Sequence, residues 1–245
     1  MSVRVLLTGR AGGVSQGDFA SLNLASHVGD DPAAVAQNRA RVAAAVGVGP
    51  DRLVVLAAVS GGPVARVDGT GPREVTGVEA LVSTDADLAL AVIAADCVPV
   101  LLADDEAGVV AVAHAGRRGV AARIVPDAVA ALVQAGGSPG RTSAWVGPAI
   151  CGRCYEVGEQ VAAPVVALEP AAAATTRWGT PGLDLVAAVR EQLRRAGVDE
   201  VSVDGRCTLE DEQLFSYRRD GRTGRHAAVV VRTAATRVGE TGESA

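Results

Sequence analysis

Residues 94–119 read AADCVPVLLADDEAGVVAVAHAGRRG, and the fold turns on how this stretch is read. Two apolar runs, residues 98–103 and 109–113, flank the polar connection Asp104-Asp105-Glu106-Ala107-Gly108. Short β-branched runs on either side of a compact polar turn with glycine form a hairpin signature. Folding the ladder about the centre of that turn sets Cys97 nearly opposite His114. Directly opposed residues share a face, with Cβ atoms roughly 4.5–5.5 Å apart. A thiol and an imidazole are thus expected to meet at the open end of a buried hairpin, with Asp96 and Arg118 beside them. Such a pair is either reactive or metal-binding, or else a core cysteine beside a histidine that only satisfies hydrogen bonds.

Around this centre the chain has 245 residues, enough for one large domain with a sizeable core. Nearly half of the residues are apolar but aromatics make up 2%, so the core must be built from Ala, Val and Leu. All 23 basic residues are arginine. The lack of lysine removes Schiff-base chemistry, a lysine general base and a Walker-type phosphate loop together. The net charge is −5, and no basic patch alternates with aromatics, which argues against a nucleic-acid partner. Four cysteines (Cys97, Cys151, Cys154, Cys207) in a chain this long do not make a disulfide framework. The apolar run after Met1 is too short for a signal peptide, and no segment is long enough to span a bilayer, so a cytoplasmic protein with no membrane partner is expected.

Residues 3–7 read as a first strand, followed by the Gly-rich stretch TGRAGGVSQG at 8–17. That stretch is either a surface loop or a nest whose backbone N–H groups and Arg10 bind an anion. Asp31 before Pro32 is an N-cap with proline at the first helical position, opening a helix over 33–46. Residues 54–59 and 64–67 read as strands joined by Ser60-Gly61-Gly62-Pro63, and 68–76 as a mobile loop. Strand candidates at 81–82 and 88–93 lead into the central hairpin, and a helix is expected over 119–135. After a short strand at 144–146 comes Cys151-Gly152-Arg153-Cys154. The C-x-x-C spacing invites a zinc or redox reading, but structural zinc needs a second ligand pair and only Cys207 remains, so a structural turn is favoured. Helices over 161–168 and 183–196, strands at 201–203 and 227–231, and an arginine-rich polar loop at 214–225 complete the pattern. Strand pairs joined by tight turns favour a mixed sheet with helices packed on it over a doubly wound parallel sheet. The organisation expected is one α/β (mixed α+β) domain over 1–235 and a disordered tail over 236–245.

Taken in order, several motifs carry a resemblance. They are GGVS with SLNL, Ala95-Asp96-Cys97 with Pro99, His114-Ala115-Gly116, and Gly147-Pro148-Ala149-Ile150 with Cys154-Tyr155-Glu156-Val157. Leu183-Asp184-Leu185, Cys207-Thr208, and Phe215-Ser216-Tyr217-Arg218-Arg219-Asp220-Gly221 with Thr223-Gly224-Arg225 follow. Over about residues 3–232 the chain resembles the bacterial YfiH family. That family has been labelled laccase-domain or polyphenol oxidase, purine nucleoside phosphorylase, and peptidoglycan editing factor. The resemblance implies a single-domain sandwich with a mixed sheet, distantly similar to Cys/His toxin deamidases. It implies phosphorolysis of adenosine, inosine and S-methyl-5′-thioadenosine, with adenosine deamination besides, and hence a transferase or hydrolase whose partners are purine nucleosides and phosphate. It also implies zinc or copper held by one Cys and two His. Cys97 and His114 map onto two of these ligands, whereas Ser60 occupies the third position, Ala58 replaces the neighbouring Gln, and Arg117 replaces the family's Trp. A serine hydroxyl is a poor zinc ligand beside imidazole, so metal is expected to be weak or absent.

For such chemistry, Cys97, His114, Asp96 and Arg118 are the candidate catalytic residues, with Asp96 orienting His114. Arg10, Gly12, Gly13, Ser15, Asn23 and Arg218 are the candidates for substrate and phosphate binding. A competing reading is an impaired homologue that acts as a binding or regulatory protein in cell-wall or division physiology. A copper phenol oxidase fits poorly, since laccase-type clusters need many histidines and the chain has three.

Overall fold

β-branched and leucine-rich runs supply the framework, and the polar stretches between them carry the turns. The computed structural model describes residues 2–58 and 61–233; the Ser60 position and the tail at 236–245 lie outside the described residues. The chain runs β1 (Ser2–Leu7), α1 (Pro32–Val46), β2 (Leu53–Leu56), β3 (Val64–Arg66), β4 (Glu74–Val75), β5 (Ala80–Ser83), β6 (Ala89–Ala94), β7 (Val98–Asp104) and β8 (Val109–Ala115). It continues through α2 (Arg117–Ala121), α3 (Ile124–Gln134), β9 (Ser143–Val146), α4 (Glu159–Leu168), β10 (Ala173–Thr175), β11 (Pro181–Leu183), α5 (Leu185–Arg195), β12 (Glu200–Val203), α6 (Tyr217–Asp220) and β13 (His226–Thr233).

Two mixed sheets stack face to face. One has the order β1-β13-β6-β2-β4 and the other β12-β9-β7-β8-β5-β3, while β10 and β11 form a separate ribbon. Between the sheets lies an aliphatic core with Leu56, Leu90, Val92 and Val230 from one side and Leu81, Leu101 and Val112 from the other. α1 covers the outer face of the first sheet through Val42 and Val46. α3 and α5 cover the second through Val125, Leu132, Val189 and Leu193. Alternate residues of β7 divide between two cores, Val98, Val100 and Leu102 facing the helices and Leu101 and Ala103 the opposite sheet. Burial on both faces explains why this strand reads as a continuous apolar run rather than an alternating one. The mixed α+β sandwich expected from the sequence is the architecture observed.

Several local expectations are corrected. β2 ends at Leu56 and lies in the first sheet, whereas β3 lies in the second, so the two do not pair with each other. The stretch 68–76, read as a mobile loop, contains β4, which extends β2 in parallel. Arg73 fastens it by donating to the carbonyl of Asp51 at 2.6 Å. The helix expected over 119–135 is two helices, broken where Arg123 adopts a left-handed φ of 64°. Pro126 accounts for the break, since its ring would collide with the carbonyl four residues earlier in a continuous helix. The arginine-rich segment 214–225 is more than a polar loop: Leu214, Phe215, Ser216 and Thr223 are buried, and Tyr217–Asp220 form α6.

Candidate active site

The β7–β8 ladder pairs Asp104 with Val109, Pro99 with His114 and Val98 with Ala115. Cys97 therefore stands two residues beyond the position opposite His114, a correction to the register drawn from the sequence. The reason is Asp104, which belongs to the strand and not to the turn. Its buried carboxylate accepts the Ala107 N–H at 3.0 Å and the Ser138 N–H at 2.8 Å, with Arg141 Nη2 at 3.0 Å. An offset of two preserves the face, because side chains alternate with period two. Cys97 and His114 still converge, and they do so over Gly116. A Cβ on Gly116 would lie 3.0 Å from Cys97 Sγ and 3.4 Å from His114 Cε1.

Behind His114 stands Glu79, just before β5. Its side chain is fully buried, with Oε1 3.5 Å from His114 Nδ1. Oε2 accepts the Gly61 N–H at 2.6 Å. Burial alone would lower the His114 pKa, but the charge and hydrogen bonding of Cys97, and then of Glu79, raise it to about 10. The imidazole thus lies between the Cys97 sulfur and the Glu79 carboxyl group and holds its proton through neutral pH. Glu79, not Asp96, orients this histidine. A lone acid preceding the apolar run Ala80-Leu81-Val82 is the sequence signal that marks it.

Asp96 has a different task. It sits at φ 99°, and its buried carboxylate accepts Thr208 Oγ1 at 2.6 Å, Ser216 Oγ at 2.7 Å and the Arg218 N–H at 2.6 Å. It ties the 207–218 segment to the base of the hairpin. Arg118 is exposed on α2 and is not among the residues lining the cleft. Arg117 instead turns toward Tyr155, whose hydroxyl is pushed up by burial and then by the charge of Cys97. Arg218 covers the Tyr155 ring at 5.2 Å and donates to the carbonyl of Glu156.

In the Gly-rich stretch 8–17 the amides of Arg10, Gly13, Val14 and Ser15 are committed within the protein, which removes them from an anion nest. The N–H of Gly13 donates to Ser21 Oγ at 3.0 Å, that of Val14 to Asn38 Oδ1 at 2.9 Å, and that of Ser15 to the Ser21 carbonyl at 2.9 Å. Gly12, at φ 93°, passes its carbonyl to Arg41. The hydroxyl of Ser15 donates to Asp30 at 2.6 Å. Arg10 lies 5.0 Å over the Phe215 ring and 3.7 Å from Asp220, so its cation is already partnered. Asn23 is buried, and its Oδ1 accepts the N–H of Arg225 at 2.9 Å. It therefore places a residue of the cleft without lining the cleft itself.

That cleft has a volume of about 270 Å³ and is lined by Cys97, His114, His27, Tyr217, Arg225 and the end of β6. A neighbouring hollow of about 420 Å³ shares His27, Tyr217 and Arg225. Arg225 is the cation of this wall, 5.8 Å over the Tyr217 ring. Sequence reasoning missed it, although it closes the motif Thr223-Gly224-Arg225. His27 reaches the cleft, whereas His226 is buried in β13.

Zinc or copper held here requires at least three protein donors. Among the described residues Cys97 and His114 supply two, and no third His, Cys or carboxylate gathers with them within ligand reach. The donor set does not fit the implied three-ligand ion, and no chemical step is routed through one. A different donor group does assemble. Cys151, Cys154, Cys207 and Glu210 place their ligand atoms within 4.8 Å of one another. The second ligand pair judged missing from the sequence is thus supplied by the fold.

A stacked pair of mixed sheets with this hairpin defines a class, and comparison with known proteins gives the same answer. The chain belongs to the family described as multi-copper polyphenol oxidoreductase laccase, whose model matches residues 4–233. It is 52% identical over 224 residues to a protein of Streptomyces coelicolor named purine nucleoside phosphorylase, covering 91% of this chain and 93% of that one. Among solved structures it is similar to YlmD from Geobacillus stearothermophilus, with a TM-score of 0.86, 35% identity, and 95% of this chain and 92% of that chain covered. It is also similar to the Bacillus licheniformis protein YfiH, with a TM-score of 0.88, 29% identity, and coverage of 94% and 93%. No helix among the described residues is long and apolar enough to cross a membrane.

Proposed function

We propose that this protein is a purine nucleoside phosphorylase acting on adenosine, inosine and S-methyl-5′-thioadenosine. The observation that carries the reading is the convergence of Cys97 and His114 over Gly116 at the floor of a cleft walled by Arg225 and Tyr217. The naming of the Streptomyces coelicolor relative supports it. In phosphorolysis a phosphate oxygen bonds to C1′ of the sugar while the C1′–N bond breaks, and its electron pair leaves with the purine. Catalysis requires an anion site and a donor aimed where negative charge develops on the base. Arg225 is the cation placed to hold the phosphate, in a half-buried setting where a guanidinium grips oxygens in bidentate fashion. His114, with Nδ1 turned to Glu79 and the Cys97 thiol beside the ring, is the acid placed to give a proton to the departing purine. Cys97 and Glu79 flank this imidazole and together raise its pKa to about 10.

The test is phosphate-dependent release of free base from the three nucleosides, for the native protein and for Ser60→His, each with and without added zinc. Base and sugar phosphate formed in equal amounts by the native protein support the reading. Inosine formed from adenosine without phosphate shows deamination instead. Activity gained only by Ser60→His with zinc identifies the native chain as an impaired, binding-type homologue and overturns the reading.

A further inference from the structure

The four-residue group Cys151, Cys154, Cys207 and Glu210 lies away from the Cys97 cleft and plays no part in the reaction above. Two turns of identical spacing build it. In Cys151-Gly152-Arg153-Cys154, the N–H groups of Cys154 and Tyr155 both donate to the carbonyl of Cys151 at 2.9 Å. In Cys207-Thr208-Leu209-Glu210, the N–H groups of Glu210 and Asp211 donate to the carbonyl of Cys207 at 3.1 and 2.8 Å. Each turn puts its first and fourth side chains on one side, so C-x-x-C faces C-x-x-E. The turns are held together by the Thr208 N–H donating to Ala149 at 3.1 Å and the Cys151 N–H donating to Cys207 Sγ at 3.4 Å.

The chemistry of the group is that of a cation site. Cys154 and Cys207 are buried beside Ile150, with Tyr155 and Leu209 around them, so an apolar shell surrounds the sulfurs. Glu210 closes the group on its outer side and is fixed through Oε1 by Arg177 at 2.8 Å. Tetrahedral zinc with sulfur ligands at 2.3 Å spaces its donor atoms about 3.8 Å apart, so a spread within 4.8 Å needs only small side-chain adjustment. Three sulfurs with one carboxylate suit zinc, whereas a disulfide would leave one thiol and the glutamate without a role.

We propose that Cys151, Cys154, Cys207 and Glu210 bind one zinc ion as a structural staple. The staple joins the segment carrying Tyr155 to the segment whose Thr208, Ser216 and Arg218 grip Asp96, next to Cys97. It is separate from the cleft, and its success or failure leaves the phosphorylase reading untouched.

The experiment uses the full chain carrying Cys97→Ala, which removes the one cysteine outside the group. Purified under mild reductant without chelator, it is expected to hold about one zinc per chain. Replacement by cobalt should give thiolate charge-transfer bands and the strong visible bands of a tetrahedral ion. Adding Cys207→Ser should abolish both. If that variant does not fold, alkylation of the native chain decides: Cys151, Cys154 and Cys207 should resist labelling until a chelator is added, while Cys97 reacts at once. Zinc binding lost with Cys97→Ala, equal labelling of all four cysteines with zinc present, or a disulfide within the group would each overturn the proposal.

Discussion

Glu79 Oε1 stands 3.5 Å from His114 Nδ1, with the carboxylate buried beneath the hairpin that carries the histidine. The backbone enforces the pairing as well, since the His114 N–H donates to the Glu79 carbonyl at 3.0 Å. An orienting carboxylate of this kind fixes the imidazole tautomer and raises its basicity. Glu79→Gln keeps the shape and removes the charge. Base release should fall by about 10- to 100-fold, with the loss in kcat rather than KM. The His114 pKa, read from imidazole NMR signals, should drop below its native value of about 10. A variant with native kcat and an unmoved histidine pKa would remove Glu79 from the positioning role.

Gly116 is required by space. Its φ of −77° suits any residue, but a Cβ there would press on Cys97 Sγ at 3.0 Å. Gly116→Ala should fold with a melting temperature within a few degrees of native and lose about 10-fold or more in base release, because displaced reacting groups are expensive. Crystallographic displacement of Cys97 would accompany the loss.

Asp96 is a structural anchor. Asp96→Ala leaves the Thr208 and Ser216 hydroxyls and the Arg218 N–H without their acceptor and keeps a non-glycine residue at φ 99°. The expected cost is about 3 kcal/mol or more in chemical denaturation. Asp96→Asn, which retains Oδ1 for the two hydroxyls, should cost less. Equal stability of all three proteins would contradict the anchor.

Three histidines shape the response to pH, His226 and His27 with one sign and His114 with the other. Burial lowers the His226 pKa to about 4, so the unfolded chain takes up a proton that the folded one refuses. Its stabilising contribution is complete above the unfolded value of about 6.5 and is lost as pH falls toward 4, on the order of 3 kcal/mol. His27, also lowered by burial and Arg225, acts in the same direction. His114, raised to about 10, contributes fully below about 6.5 and loses its contribution as pH rises through 10. Melting temperature should therefore decline on both sides of about pH 6.5. His114→Gln should flatten the alkaline limb and leave the acid limb in place.

The hairpin, the main strands and the α1 cap were legible because each rests on local pattern: β-branched runs, Gly-bearing turns and Asp31 before Pro32, whose carboxylate accepts the Ala33 N–H at 2.9 Å. What escaped was non-local. Glu79 reaches His114 across the β5–β8 pairing, and nothing in the spacing of 79 and 114 encodes that contact. Asp96 is adjacent to Cys97 in sequence, yet its carboxylate turns to residues more than a hundred positions later. The Gly-rich stretch stayed open between a surface loop and a nest because the partners of its amides, Ser21 and Asn38, come from a turn and a helix face. The register moved by one because Asp104 looks like a turn residue and serves as a strand end.

The central claim is that Cys97 and His114 act as one unit on the nucleoside. The direct measurement is phosphate-dependent base release by Cys97→Ala, His114→Ala and the double variant, each checked for native fold by circular dichroism. Each single variant should lose about 100-fold or more, and the double variant little beyond either, as for groups that function only together. Native rates in either single variant would contradict the account.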